Sequence, residues 1–304
     1  MTGDELEADP KGARDSGIGG KAALSRVTRH PSREPNRIDA TFERLKAKGE
    51  KALIAYIMAG DPSLQDTEAL VLELERAGVD IIELGVPFSD PIADGPVIQK
   101  AAERALRSGT SLRRIIAAVA ALREKTQIPV VLMAYYNTIY AFGEKAFCRE
   151  AVKAGVDGLI VPDMPPEESA ALQAASSESG PVLIFLLAPT STAVRRTAVA
   201  KQSRGFIYYV SLTGITGAKL TDREDIRRNV GKIHRVTAVP VAVGFGIATP
   251  QDAAQVAGMA EGVIVGSAIV RHIAEHHQGP GMVEQVGRFV RSLKSAMASV
   301  PLPA

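Results

Sequence analysis

From about Ile38 onward the chain alternates short β-branched runs with helical patterns of about 12 residues, joined by Gly, Pro and Asp. No other feature restricts the fold as much, because this alternation signals a parallel sheet. The runs are LIAYIM (Leu53 to Met58), VDIIEL (Val79 to Leu84), PVVLMAY (Pro129 to Tyr135) and GLIVP (Gly158 to Pro162). Four more follow: VLIFLLA (Val182 to Ala188), FIYYV (Phe206 to Val210), VPVAVGF (Val239 to Phe245) and GVIVG (Gly262 to Gly266). Some helix starts are readable, as where Asp163 to Glu167 leads into ESAALQAAS and where Thr221 with Asp222 precedes REDIRRNVGKI. Eight β-then-α units in about 265 residues match a (β/α)8 TIM barrel. A doubly wound open sheet would place its phosphate glycines in the first βα turn. Here that turn reads AGDPSLQD and has no G-x-G-x-x-G.

Residues 36–304 are therefore expected to form one barrel domain, opened by a short helix. Residues 1–35 are rich in Gly, Ser, Arg and Asp and poor in large apolar side chains, the composition of a disordered arm. Asp4, Glu5, Glu7 and Asp9 argue against a transit peptide, and no apolar run approaches the roughly 20 residues that cross a bilayer. Thirty-six basic against thirty-four acidic side chains give a net charge of +2, too little to recommend nucleic acid or an anionic membrane. Cys148 is the only cysteine, which excludes an internal disulfide and suits a reducing cytoplasm.

In such barrels the active site lies at the C-terminal ends of the strands. Two late turns stand out there, GFGIATP (Gly244 to Pro250) and GSAIV (Gly266 to Val270). Their bare amides, with Ser267 opening a short helix, offer N–H groups and the positive end of a helix dipole to an anion. SLTGITGAK adds Gly214 and Gly217 after the sixth run. Taken singly these glycines read as turn formers; three in neighbouring late loops point to phosphate.

An acidic loop follows the second run. ELGVPFSDPIADGP, Glu83 to Pro96, holds three carboxylates and three prolines in 14 residues. Strand pleating puts Ile81, Glu83 and Gly85 on one face and Ile82 and Leu84 on the other, so if Leu84 packs on the helices, Glu83 points into the barrel mouth. A carboxylate among apolar neighbours has its charged form disfavoured, which suits it to exchange protons near neutrality. Pro87, Pro91 and Pro96 stiffen the loop that carries Asp90 and Asp94, and a stiff loop can aim a carboxylate at a ligand. Turn formation is an equally good reading of either aspartate alone.

Absences narrow the chemistry. None of His30, His234, His272, His276 and His277 falls at a strand end, which argues against a histidine metal site or a Ser-His-Asp triad in the mouth. RHIAEHH lies on a late helix and reads as a solvated face. No lysine ends a run where a Schiff base would form. The remaining set is a phosphate anchor, a desolvated glutamate, a loop aspartate and tyrosines, suited to acid-base work without a cofactor.

ELGVPFSDPIADGPVIQ closely resembles the signature of the tryptophan synthase α subunit family. AYIMAGDP, MAYYN, GLIVPDMPPEES, IYYVSLTGITGA and the VGFGI and VGSAIV turns resemble that family in the right order, over about Phe42 to Ala298. The resemblance implies a (β/α)8 lyase that cleaves indole-3-glycerol phosphate to indole and glyceraldehyde 3-phosphate, with no cofactor in this chain. It also implies a β subunit that carries pyridoxal phosphate, receives the indole, and assembles as an αββα heterotetramer. Matched position by position, Glu83 is the acid-base glutamate and Asp94 the aspartate that binds the indole N–H. Tyr208, Tyr56 and Tyr135 match pocket positions, Thr216 the mobile-loop threonine, and Gly217, Gly246, Gly266 and Ser267 the phosphate cradle. Pro87 and Asp90 match the loop that touches the β subunit. A stand-alone lyase that releases indole would share these motifs, and an activator of a β partner with weak catalysis of its own is a further alternative.

Overall fold

The computed structural model describes residues 36–211, 223–244 and 246–298. The chain enters through α1 (Arg37–Lys48), then β1 (Ala52–Met58), α2 (Leu64–Arg76), β2 (Ile81–Gly85), α3 (Pro96–Arg107), α4 (Leu112–Leu122) and β3 (Val130–Met133). It continues through α5 (Tyr136–Phe142), α6 (Glu144–Ala154), β4 (Gly158–Ile160), α7 (Ala170–Ser179), β5 (Val182–Ile184), β6 (Leu186–Leu187) and α8 (Ala193–Gln202). The last elements are β7 (Ile207–Val210), α9 (Arg223–His234), β8 (Val241–Gly244), α10 (Pro250–Ala257), β9 (Gly262–Val265), α11 (Ser267–His276) and α12 (Met282–Ala298). None of these helices is long and apolar enough to cross a membrane.

All strand pairs are parallel, in the order β5-β4-β3-β2-β1-β9-β8-β7-β6. β5 and β6 are two parts of the single run expected over Val182 to Ala188, interrupted at Phe185. β5 pairs with β4 and β6 pairs with β7, so this one run occupies both ends of the strand order and closes the barrel. Phe185 bridges the interruption, its carbonyl accepting from Tyr208 N at 3.1 Å and its own N–H donating to Ser203 Oγ at 3.2 Å.

Side-chain alternation divides the strands as the pleat requires. Ile82, Leu84, Leu132, Leu159, Ile207 and Val243 pack outward in the core shared with the helices. Ile54, Ile81, Val131, Ile160, Ile184, Tyr208, Ala242 and Ile264 face one another inside the barrel. Below them α1 inserts Ile38, Phe42 and Leu45, with Phe42 and Phe206 rings 5.9 Å apart. Each such buried side chain is worth about 1.5–3 kcal/mol, so a short helix is enough to plug this end.

Several strands are shorter than their runs, β4 ending at Ile160 and β8 starting at Val241 among them, and two of the differences have a clear cause. The second starts at Ile81 rather than Val79, because Val79 N closes α2 onto Leu74 O and Asp80 is taken by Leu53 N, Lys294 and Arg44. The third stops at Met133, which releases Tyr135 from the sheet to the entrance of α5.

At the opposite end of the barrel the turn after β1 is tied to α3. Arg104 donates from Nε and Nη2 to the two oxygens of Asp61, at 2.7 and 2.8 Å, and the Asp61 side chain is fully buried. Ser108 Oγ donates to Gly60 O at 3.1 Å, and Gly60 N donates to Thr67 Oγ1 at 2.8 Å. Arg104→Leu would strand a buried carboxylate, so we expect a loss of about 3–5 kcal/mol in stability. Urea unfolding reads it as a lower midpoint at unchanged slope. A loss below about 1 kcal/mol would mean that water reaches Asp61 once the guanidinium is gone.

Candidate active site

Glu83 sits on β2 with Tyr56 of β1 opposite it on one side and Val131 of β3 on the other. Its side chain points inward and is completely buried, and neither carboxylate oxygen has a hydrogen-bond partner among the described residues. Burial alone pushes its pKa up to about 8. An unpaired buried carboxyl is costly, which makes it a natural place for chemistry.

Two tyrosines wall this group. Burial raises the pKa of Tyr56 well above the usual phenol range, and Asp94 and Glu83 add to it. Tyr208 is raised by burial and then by Glu83. Both rings depend on glycines of the neighbouring strand, Tyr56 on Gly85 of β2 and Tyr208 on Gly244 of β8. A methyl carbon on Gly85 would lie 2.2 Å from the Tyr56 hydroxyl, and one on Gly244 would lie 2.5 Å from the Tyr208 hydroxyl. These glycines are needed for space, and their φ angles are not in the left-handed region.

Asp94 reaches the same mouth from the loop between β2 and α3 and is half-buried. Burial raises its pKa to about 6, opposed by the hydrogen bond that the Tyr135 hydroxyl donates to it. The same hydroxyl accepts from Ala93 N at 2.9 Å, and the Tyr135 ring stacks on Phe88 at 5.2 Å. Tyr135 thus holds Asp94 by its carboxylate and its preceding amide. Tyr56 feels both carboxylates, so the glutamate and the aspartate act on one shared neighbour.

The same loop separates its other members. Pro87 is buried at its base, whereas Asp90 is exposed with Ser89 Oγ donating to its carboxylate at 2.5 Å. Ile92 is 85% exposed, a large apolar side chain presented to solvent beside Asp90.

Gly266 and Ser267 lie at the C-terminal end of β9, where α11 begins without a side-chain cap, so its first amides are open to an anion. α10 differs. Its N-terminus is closed by a reciprocal box in which Thr249 Oγ1 accepts from Asp252 N and Asp252 accepts from Thr249 N, and Ala248 N also donates to Asp252. The turn before α10 therefore offers Gly246, at φ +74°, more than it offers the helix dipole. Thr216, Gly217 and Gly214, the Thr221 and Asp222 helix start, and the arm over residues 1–35 lie outside the described residues.

Sequence patterning did not single out Phe88, Asp252 or the fit of Gly85 and Gly244 to the tyrosines. The two glycines had a signal, since each is an inward position at the end of its strand. The histidine-rich helix also differs from a simple solvated face: His272 is half-buried with its ring 4.1 Å from Phe289.

A family model described as tryptophan synthase alpha chain matches residues 42–298. The tryptophan synthase alpha chain of Citrifermentans bemidjiense is 53% identical over 262 residues, 86% of this chain and 98% of the relative. That of Geobacter sulfurreducens is 49% identical over 264 residues, 87% of this chain and 100% of the relative. The crystal structure of tryptophan synthase subunit alpha from Legionella pneumophila superposes with a TM-score of 0.82 at 38% identity, covering 88% of this chain and 100% of that one. A chain of Mycobacterium tuberculosis tryptophan synthase gives 0.80 at 38% identity, covering 87% and 99%.

Proposed function

The chain belongs to the tryptophan synthase alpha chain family, and on that premise we propose that Glu83 and Asp94 carry its reaction. The reaction is the cleavage of indole-3-glycerol phosphate to indole and glyceraldehyde 3-phosphate, with the indole passed to a β subunit. The observation that carries the residue assignment is the buried Glu83 carboxyl, with neither oxygen paired among the described residues, facing two tyrosines at the active end of the barrel.

Cleavage is a retro-aldol step, in which C3 of the indole is protonated and the adjacent glycerol hydroxyl loses its proton. With a pKa of about 8, Glu83 starts protonated at neutral pH. It gives that proton to C3, which turns the ring into an electron sink. The resulting carboxylate then takes the hydroxyl proton as the carbon–carbon bond breaks, which restores the acid. Asp94, at about 6, is ionised at the same pH and faces the positive charge that develops at the ring nitrogen. Two carboxyls in one mouth are thereby set to opposite protonation states by their surroundings.

Tyr56, Tyr135 and Tyr208 bound the indole pocket. Gly246, Gly266 and Ser267 hold the phosphate together with Gly217, and Thr216 closes over the site. Pro87 and Asp90 belong to the face that meets the β subunit, the pyridoxal-phosphate partner, in an αββα heterotetramer in the cytoplasm. This chain needs no cofactor of its own. If partner binding favours the closed arrangement of these loops, mixing must raise the rate. A steady-state cleavage assay titrated with β subunit from the same source should show slow cleavage alone and at least about tenfold stimulation. Full speed alone with no response would favour a stand-alone lyase that releases indole.

Residues 36–304 act as one lyase domain in this reading. Deleting residues 1–35 should leave the melting temperature and the cleavage rate nearly unchanged. A fall of several degrees would make the arm part of the domain.

A further inference from the structure

α11 carries His272, Glu275 and His276, spaced so that all three project from adjacent turns of one helix face. One ligand atom from each lies within 4.8 Å of the other two. We propose that these three residues form a surface site for a borderline divalent transition cation such as Zn2+, separate from the barrel mouth.

The local hydrogen bonds prepare the ligands. His276 Nδ1 lies 2.8 Å from His272 O, and since a carbonyl only accepts, Nδ1 is the protonated nitrogen. That leaves Nε2 with its lone pair, and a histidine ligand is typically held in this way, with its other nitrogen donating to a carbonyl or carboxylate. His272 is positioned by packing. Its ring lies 4.1 Å from Phe289 of α12 and stacks at 12° on the His276 ring, with centroids 6.1 Å apart. Both imidazoles are half-buried, whereas Glu275 is exposed and free to swing.

Metal–ligand bonds of about 2.0–2.1 Å in a tetrahedral shell set ligand atoms about 3.4 Å apart, so modest side-chain rotation closes the present spacing. Two nitrogens and one carboxylate oxygen leave a coordination position for water. This donor set selects Zn2+ or Cu2+ over Mg2+ or Ca2+, which prefer oxygen cages. The Glu275 carboxylate offsets the charge of the neighbouring Arg271. His277 has a similar Nδ1 bond, to Ala274 O at 2.7 Å, but is not among the ligand atoms that lie within 4.8 Å of one another.

The test is calorimetric titration of tag-free full-length chain with Zn2+, with the Cu2+ form examined by electron paramagnetic resonance for nitrogen hyperfine structure. One Zn2+ per chain is expected, with two nitrogen ligands on Cu2+ and no competition from excess Mg2+. His272→Gln and His276→Gln should each weaken Zn2+ binding by at least about tenfold. Glu275→Gln, a change at an exposed position that does not threaten folding, should weaken it less but measurably, and His277→Gln should leave it unchanged. The proposal is overturned if the parent chain binds no Zn2+, or if binding survives unchanged in His272→Gln and His276→Gln.

Discussion

Glu83→Gln is expected to lower the rate of indole-3-glycerol phosphate cleavage by at least about a thousandfold while the barrel still folds, because one group serves two proton transfers. The amide is nearly the same size and enters a site where the carboxyl has no hydrogen-bond partner among the described residues to lose. Linkage supplies an independent reading. The folded-state pKa of Glu83 is raised from 4.5 to about 8, so the folded chain keeps a proton that the unfolded chain releases. The associated stability is fully present below pH 4.5 and is lost progressively as pH rises to about 8. Glutamine has no proton to keep. Urea unfolding of both proteins at pH 5 and pH 8 should therefore show the variant gaining relative to the parent as pH rises, even though it has lost activity. Near-normal turnover would remove Glu83 from the mechanism, and a pH-independent difference in stability would mean that its carboxyl is solvated in the folded state.

Asp94→Asn is expected to cost at least about a hundredfold in kcat, as a fixed negative charge facing the developing indole cation becomes neutral. The pH profile gives a sharper test. Asp94 must be ionised, so kcat/KM should rise through about pH 6, and Glu83 must be protonated, so it should fall through about pH 8. Asparagine should remove the acidic limb and leave the alkaline one. If KM rises while kcat holds, Asp94 positions substrate and does not stabilise the transition state.

The barrel was legible because its signals are local. Strand runs, helix patterns and the inward direction of Glu83 all follow from spacings of two to four residues, and the structure has Leu84 packed outward and Glu83 inward as the pleat requires. What stayed hidden depends on partners far along the chain. Tyr135 reads as the end of a strand, yet its hydroxyl serves Ala93, 42 positions earlier. The split of one run at Phe185 requires knowing which strands meet on either side. Asp252 is close in sequence to the turn it closes, but nothing in GFGIATP says whether that helix start is left open for phosphate or satisfied by its own carboxylate. The role of Thr216 rests on family resemblance alone, and that of Gly217 on its glycine-rich late loop together with the resemblance.

The pairing of each tyrosine with a glycine constrains how this pocket can change by mutation. Gly85 cannot acquire a side chain while Tyr56 keeps its hydroxyl in place, and Gly244 stands in the same relation to Tyr208. The permissible order of substitutions is therefore fixed: the tyrosine must shrink first, and the glycine is free to grow only afterwards. Across diverged descendants the two members of each pair should covary. In laboratory selection for a bulkier or slimmer indole, single-site libraries at either glycine should yield inactive clones, whereas libraries that randomise glycine and tyrosine together open routes that stepwise search cannot reach.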